Sequence, residues 1–207
     1  MKLTIFGSTG MGGKAALAKA VQRGHQVTIL ARKPMEVPAG VRVVVGDVRD
    51  RAAVRQALAG AEAVLQCRGV GGMGDGRPNS LVPDATALIL DEMKAVSLRR
   101  IVCMGNVGVP GSGAYLVRFV VAPLLARKLL PILASKVRME AILRASQMDW
   151  TVVRMPVLTE KPDRKQIKIS PEGRAPGMSI TTGDAADFML DIIEKRQFLG
   201  SAVSIAN

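Results

Sequence analysis

The segments of this chain that read as β-strands are apolar on both sides. LTIF (3–6), VRVVVGD (41–47), AEAVLQC (61–67), RRIVCMG (99–105) and WTVVRM (150–155) carry runs of Val, Ile and Leu, where a half-exposed strand would alternate apolar with polar residues. Such strands must be covered on both faces, as in a parallel sheet flanked by helices. Helix-forming segments stand between them. Residues 14–23 place Ala16, Leu17, Ala20 and Val21 at helical spacing and stop at Gly24. Asp50 can cap residues 51–60, where Val54, Leu58 and Ala61 keep that spacing. Residues 81–97 read as a third helix, 136–146 as a fourth capped by Ser135, and 184–195 as a fifth capped near Thr182 or Gly183. QVTILAR (26–32), KQIKIS (165–170) and AVSIA (202–206) complete the strands. This alternation predicts an α/β fold, a Rossmann-like doubly wound parallel sheet in a single domain over residues 1–207, with right-handed crossovers. No repeat or linker divides it.

Only 3% of residues are aromatic, so the core must be built from Val, Ile, Leu, Ala and Met, with the 11 Met as filler. The two cysteines, Cys67 and Cys103, end apolar runs and read as buried free thiols. One histidine, His25, lies in a helix-to-strand turn and reads as a surface turn residue. With no cysteine pair at ligand spacing, no metal site is expected. The formal net charge of +12 favours anionic ligands. The basic residues are spread out, without aromatic interleaving, which argues against nucleic acid as the partner. The opening MKLTIFG enters a strand at once, and no apolar run reaches the roughly 18 residues needed to cross a bilayer. The expectation is a cytoplasmic protein, a monomer or small homo-oligomer.

Gly7, Gly10 and Gly13 form G-x-x-G-x-x-G between the first strand and the first helix. That context suits a dinucleotide. Gly7 allows the sharp turn, Gly10 leaves room for a diphosphate, and Gly13 lets the helix approach the sheet. The helix N-terminus, beginning near Met11, offers free N–H groups and a partial positive charge. Ser8 and Thr9 add hydroxyl donors. At the end of the second strand stand Arg32 and Lys33, with no acid before Glu36. An acid there would bind the ribose hydroxyls of NAD, whereas an arginine suits a 2′-phosphate, so NADP(H) is the expected cofactor. Asp47 and Val48, after the third strand, fall where an adenine would rest. Cys67, Arg68 and Gly69, after the fourth, fall beside the dinucleotide.

IFGSTGMGG, VVVGDVRD, AVLQCRG, VRMEAILRASQMDWTVVRMP and ISPEGRAPGMSITTGDAADFML resemble the atypical short-chain dehydrogenases with an NmrA-like NAD(P)-binding fold. Within that group the likeness is greatest to the biliverdin-IXβ reductases, also called flavin reductases, and it covers nearly the whole chain. The resemblance implies an NADPH-binding Rossmann domain that passes hydride to flavins, quinones or linear tetrapyrroles in an open pocket. Gly7, Thr9, Gly10, Gly13 and Arg32 match nucleotide-binding positions. The substrate side is expected near residues 107–135 and 156–182. Ordinary short-chain dehydrogenases pair a serine with Tyr-x-x-x-Lys. Here the serine position is Asn106, the lysine position is Lys136, and Ile132 stands where the tyrosine would be. The single tyrosine, Tyr115, has Phe119 four residues later and makes no such pair. Without a phenol acid, ketone chemistry loses a proton donor typically contributing about 10²–10⁴-fold. Reducing an isoalloxazine or quinone needs that donor less strictly. Lys136 could hold the product anion and Asn106 the carboxamide or the acceptor.

The leading reading is therefore an NADPH-dependent reductase of planar acceptors. The alternative is a non-catalytic NADP(H) sensor acting through a protein partner. A sugar-nucleotide or isoprenoid-modifying enzyme is disfavoured by the missing Tyr-x-x-x-Lys pair. Residues 114–133 are apolar nearly all round. Pro123 and Pro131 are expected to break them into short helices that line the acceptor pocket or a subunit interface rather than a membrane surface.

Overall fold

The computed structural model describes residues 1–69, 80–112 and 122–207, and of 122–129 the backbone only. The elements are β1 (Lys2–Phe6), α1 (Met11–Gln22), β2 (Gln26–Ala31), β3 (Arg42–Val45), α2 (Arg51–Leu58), β4 (Ala63–Gln66), α3 (Leu81–Ala95), β5 (Arg100–Asn106), α4 (Ala122–Ala145), β6 (Asp149–Met155), β7 (Val157–Thr159), β8 (Lys168–Ser170), β9 (Ser179–Thr181), α5 (Thr182–Glu194) and β10 (Ser201–Ala206). Eight strands form one sheet in the order β3-β2-β1-β4-β5-β6-β10-β8. All its pairs are parallel except β10 with β8. This is the doubly wound α/β arrangement, with the chain reversing direction across the sheet between β1 and β4.

Alternate side chains of each strand feed two cores, as the period of two requires. Leu3, Ile5, Val102 and Val153 pack with Ala16 and Ala20 of α1 and Met189 and Ile193 of α5. Phe6, Val64, Ile101 and Val152 pack with Val54 of α2, Ile89 of α3 and Met139 of α4. Asp50 caps α2 by accepting from the amides of Ala52 and Ala53. Thr181 caps α5 by accepting from Asp184 N. Salt bridges lace the outer faces of α1 and α5, from Lys19 to Asp163 and Asp187 and from Arg23 to Asp187, Asp191 and Glu194. His25 belongs to this lattice: its Nε2 lies 2.8 Å from Glu194 Oε1. It is a tethered residue, not a free surface turn.

Two expectations about α4 are corrected. Pro131 lies inside a 24-residue helix, so the prolines do not divide the segment into short pieces. A proline removes one hydrogen bond to the preceding turn, yet residues on both sides keep the rest of the ladder. Pro123 stands in the first turn, where its missing N–H has no intrahelical partner anyway. Ser135 is consequently not a cap; it lies mid-helix, buried, with its Oγ unpartnered among the described residues. Residues 70–79, and 113–121 with Tyr115 and Phe119, lie outside the described residues, as do the side chains to 129. The pocket-lining expectation for 114–133 falls largely on them.

β7 and β9 form a separate two-stranded parallel ribbon that the sequence did not announce. Pro156, between β6 and β7, has no N–H to extend the main ladder. No described helix is long and apolar enough to cross a membrane.

Candidate functional site

The glycine turn joins β1 to α1 at the carboxyl end of the sheet. Gly7 adopts φ +82°, a left-handed conformation that side chains resist. A Cβ there would also fall 2.8 Å from Arg68 Cγ. Gly10 is the N-cap of α1, with no side-chain cap and no acid in the first turn. A Cβ on Gly10 would meet only Gly7 O, at 3.7 Å, so it would project into open space before the helix. A Cβ on Gly13 would lie 2.0 Å from Gly7 O. Gly13 therefore lets the helix close against its own turn, rather than against the sheet as expected from sequence. Contact with the sheet belongs to Gly12, where a Cβ would sit 2.5 Å from Met104 Cε. Ser8 is buried and its Oγ has no hydrogen-bond partner among the described residues. Thr9 and Met11 are exposed beside it. The turn thus presents uncapped amides, an unspent hydroxyl and a cradle that one methyl would fill, and these fit a diphosphate.

Arg32, Lys33, Asp47 and Arg68 all follow strand ends on the same edge. Arg32 and Lys33 are exposed and make no hydrogen bond or ion pair among the described residues. Asp47 accepts from Arg49 three times, from the backbone N at 2.9 Å, Nε at 2.9 Å and Nη2 at 3.0 Å. Those bonds hold its carboxyl down at about 2. Burial lowers the pKa of the Arg68 guanidinium; Asp47 opposes the shift, and Arg32 and Arg49 add to it. Val48 turns its side chain into the core at 2% exposure, leaving only its backbone to a ligand. Cys67 is likewise a core residue, its thiol pushed up to about 12 by burial, and Gly69 is exposed. Cys67 and Cys103 belong to the cores on opposite faces of the sheet.

Asn106 ends β5, half-buried, and its side chain makes no hydrogen bond among the described residues. Lys136 is enclosed at 2% exposure. Its Nζ donates to Arg68 O at 2.8 Å and Met104 O at 2.7 Å. Burial lowers its pKa to about 8. The sequence suggested a cation facing an acceptor; the structure makes Lys136 a brace between the exit of β4 and the end of β5. One turn further along α4, Glu140 forms a buried two-bond pair with Arg154 of β6, at 3.0 and 2.7 Å. Arg154 also donates to Gly173 O at 3.3 Å, and Ala175 N donates to Ser112 O at 2.8 Å. These bonds fasten residues 173–175 to the segment after β5. Leu158 of β7 reaches toward Gly12, where an added Cβ would lie 3.5 Å from its Cδ1.

Sequence reasoning missed Gly12, Arg49 and the Glu140–Arg154 pair. The first two left a trace, as a Gly-Gly doublet at the helix start and an Asp-x-Arg spacing suited to a turn. The buried pair left none, because its partners are 14 residues apart on different elements. No group of three or more metal-ligating side chains occurs among the described residues. The cavity outlined by Lys2, Gln26, Thr28, Arg42 and Gly60, about 290 Å³, lies at the amino ends of β1–β3, away from the glycine turn.

A protein family described as NAD(P)H-binding matches residues 7–196. An uncharacterized protein of Mycobacterium tuberculosis is 32% identical over 103 residues, which are 49% of this chain and 12% of that protein. Among solved structures, a short-chain dehydrogenase/reductase from Veillonella parvula in complex with NADP superposes with TM-score 0.81 at 17% identity, covering 100% of this chain and 94% of the other. ChuY, an anaerobilin reductase from Escherichia coli O157:H7, superposes with TM-score 0.78 at 18% identity, covering 100% and 97%. At these identities the two structures speak for the fold.

Proposed function

The chain belongs to the NAD(P)H-binding family, and from that premise we propose that it is an NADPH-dependent reductase acting on planar acceptors such as flavins, quinones or linear tetrapyrroles. The observation that carries the reading is the uncapped, acid-free start of α1 with the Ser8 hydroxyl unspent beside it. The first-turn amides and Ser8 Oγ would hold the diphosphate, and Arg32 would hold the 2′-phosphate with charge-assisted bonds. NADPH, when bound, supplies the hydride. Asn106, whose side chain makes no hydrogen bond among the described residues, orients the reacting end from the tip of β5. Lys136 fixes the backbone at Arg68 and Met104, where the ends of β4 and β5 frame that space. Gly12 lets Met104 and Leu158 close over the start of α1. The reduced acceptor takes its proton from water, since the chain places no phenol at the lysine-minus-four position. The fold is compatible with such an acceptor, since an anaerobilin reductase shares it.

The test is NADPH oxidation with FMN, riboflavin, a quinone and biliverdin beside simple ketones, with mass spectrometry of any co-purifying nucleotide. Turnover with a planar acceptor and none with ketones is expected. Tight NADP(H) binding with no turnover on any of them would instead support a nucleotide sensor, a reading that the enclosure of Lys136 favours.

A further inference from the structure

Three arginines converge on the edge where β3, β2, β1 and β4 end side by side, and they are not equivalent. Arg49 is spent: its Nε and Nη2 both bind Asp47, and the pair is close to neutral. Arg32 and Arg68 are unspent, with no side-chain hydrogen bond or ion pair among the described residues. Arg32 directly follows the last residue of β2, and Arg68 lies two beyond the last residue of β4. Between them runs β1, ending at Phe6, with neighbouring strands about 4.8 Å apart. The Arg68 stem leans over that strand's exit, its Cγ 2.8 Å from where a Gly7 Cβ would stand. Gly7 thus makes room for Arg68 as well as for the turn. The guanidinium is half-buried, and Asp47, Arg32 and Arg49 all act on its charge, which places it toward β2 and β3 rather than toward β5. Asp47 offsets part of the repulsion, but its carboxylate is already bound three times by Arg49, so three guanidinium groups share one carboxylate and the cluster keeps excess positive charge that an anion would balance.

We propose that Arg68 is the second arm of a 2′-phosphate clamp, gripping from the β4 side the group that Arg32 grips from the β2 side, while Arg49 neutralises Asp47 so that no carboxylate opposes the phosphate. This rests on the NADPH reading above and extends it to a specificity residue outside the β2 end. A dianionic phosphate offers three oxygens, enough for two forked guanidinium contacts.

The experiment is calorimetric binding of NADPH, NADH, 2′,5′-ADP and 5′-ADP to the unmodified protein and to Arg32→Gln, Arg68→Gln and Arg68→Lys. Each glutamine variant should weaken NADPH and 2′,5′-ADP by about 10- to 150-fold while leaving NADH and 5′-ADP unchanged. Arg68→Lys keeps the stem on Gly7 and loses the fork, so it should fold normally and lose part of the preference; it decides the matter if Arg68→Gln does not fold. Equal weakening of all four ligands by the Arg68 changes would put the side chain on a part of the nucleotide that both cofactors share, and overturn the proposal. An undiminished preference in Arg68→Gln, or in Arg68→Lys, would also overturn it. An unmodified protein that binds NADH as well as NADPH would fail the NADPH reading itself, before any substitution is made.

Discussion

Gly10→Ala separates binding from folding at the glycine turn. Gly10 has φ −77° and ψ 165°, an extended conformation open to any residue. The added methyl would touch only Gly7 O, at the ordinary distance of 3.7 Å. Alanine is a poorer N-cap than glycine by about 0.5–1 kcal/mol. Restricting the unfolded chain returns about 0.4–1 kcal/mol. The two offset, so Tm should stay within about 2–4 °C of the unmodified protein. The methyl, however, projects into the space before the first-turn amides. A hydrogen bond to a charged group contributes roughly 1.5–3 kcal/mol, so lifting a phosphate off one amide should weaken NADPH about 10- to 150-fold. Gly13→Ala is the contrast. Its Cβ would lie 2.0 Å from Gly7 O and 2.8 Å from Ser8 Cα, both backbone. The turn must then move, straining the 3.3 Å bond from Gly10 N to Gly7 O, and both Tm and binding should fall. Scanning calorimetry reads the first quantity and titration calorimetry the second. A Gly10→Ala protein of unchanged Tm that binds NADPH as tightly as the unmodified protein would refute the placement of the diphosphate.

Lys136 predicts a rise of stability with pH. The unfolded lysine keeps its proton to about 10.5 and the folded one only to about 8. Between those values the unfolded state holds more protons, so stability should climb by roughly 3 kcal/mol from pH 8 to 10.5, and below pH 8 the burial penalty stands in full. Urea midpoints across that range should show the slope in the unmodified protein and its loss in Lys136→Met; parallel curves would refute it. Glu140→Gln leaves Arg154 buried without its counter-charge and should cost about 3–5 kcal/mol, whereas replacing both partners with Leu and Met should recover most of it. Denaturant unfolding checks this, and a single substitution as mild as the double one would refute it.

Most strands were legible because burial on both faces writes itself as continuous apolar runs, as in β1, β4, β5 and β6; β3 carries such a run although it stands at the sheet edge with Val45 53% exposed. Caps with a side-chain mechanism were legible too, as at Asp50, whose carboxylate accepts from two amides. β7 and β9 were not, since three residues hold too little periodicity to register. Ser135 misled because a serine before an amphipathic run looks the same whether the helix starts there or has already run for three turns. Of the candidate site, the glycine turn and Arg32 could be read from local spacing. The enclosure of Lys136, the inward turn of Val48 and Cys67, and the locking of Asp47 by Arg49 could not. Those depend on which way a side chain leaves a strand end and on what another element brings to meet it.

The β7–β9 ribbon forms its own two-stranded sheet between the end of β6 and the start of α5, with one bond to the main sheet's edge from Asn207 N, just after β10, to Ser179 O at 3.0 Å. Pro156 interrupts the ladder to β6, so the ribbon couples to α1 through side chains instead: Leu158 lies against Gly12, and Thr181 donates to Asp163, which also accepts from Lys19. A change within β7 or β9 therefore reaches α1 by packing and by charge, without passing through β1, β2 or β3.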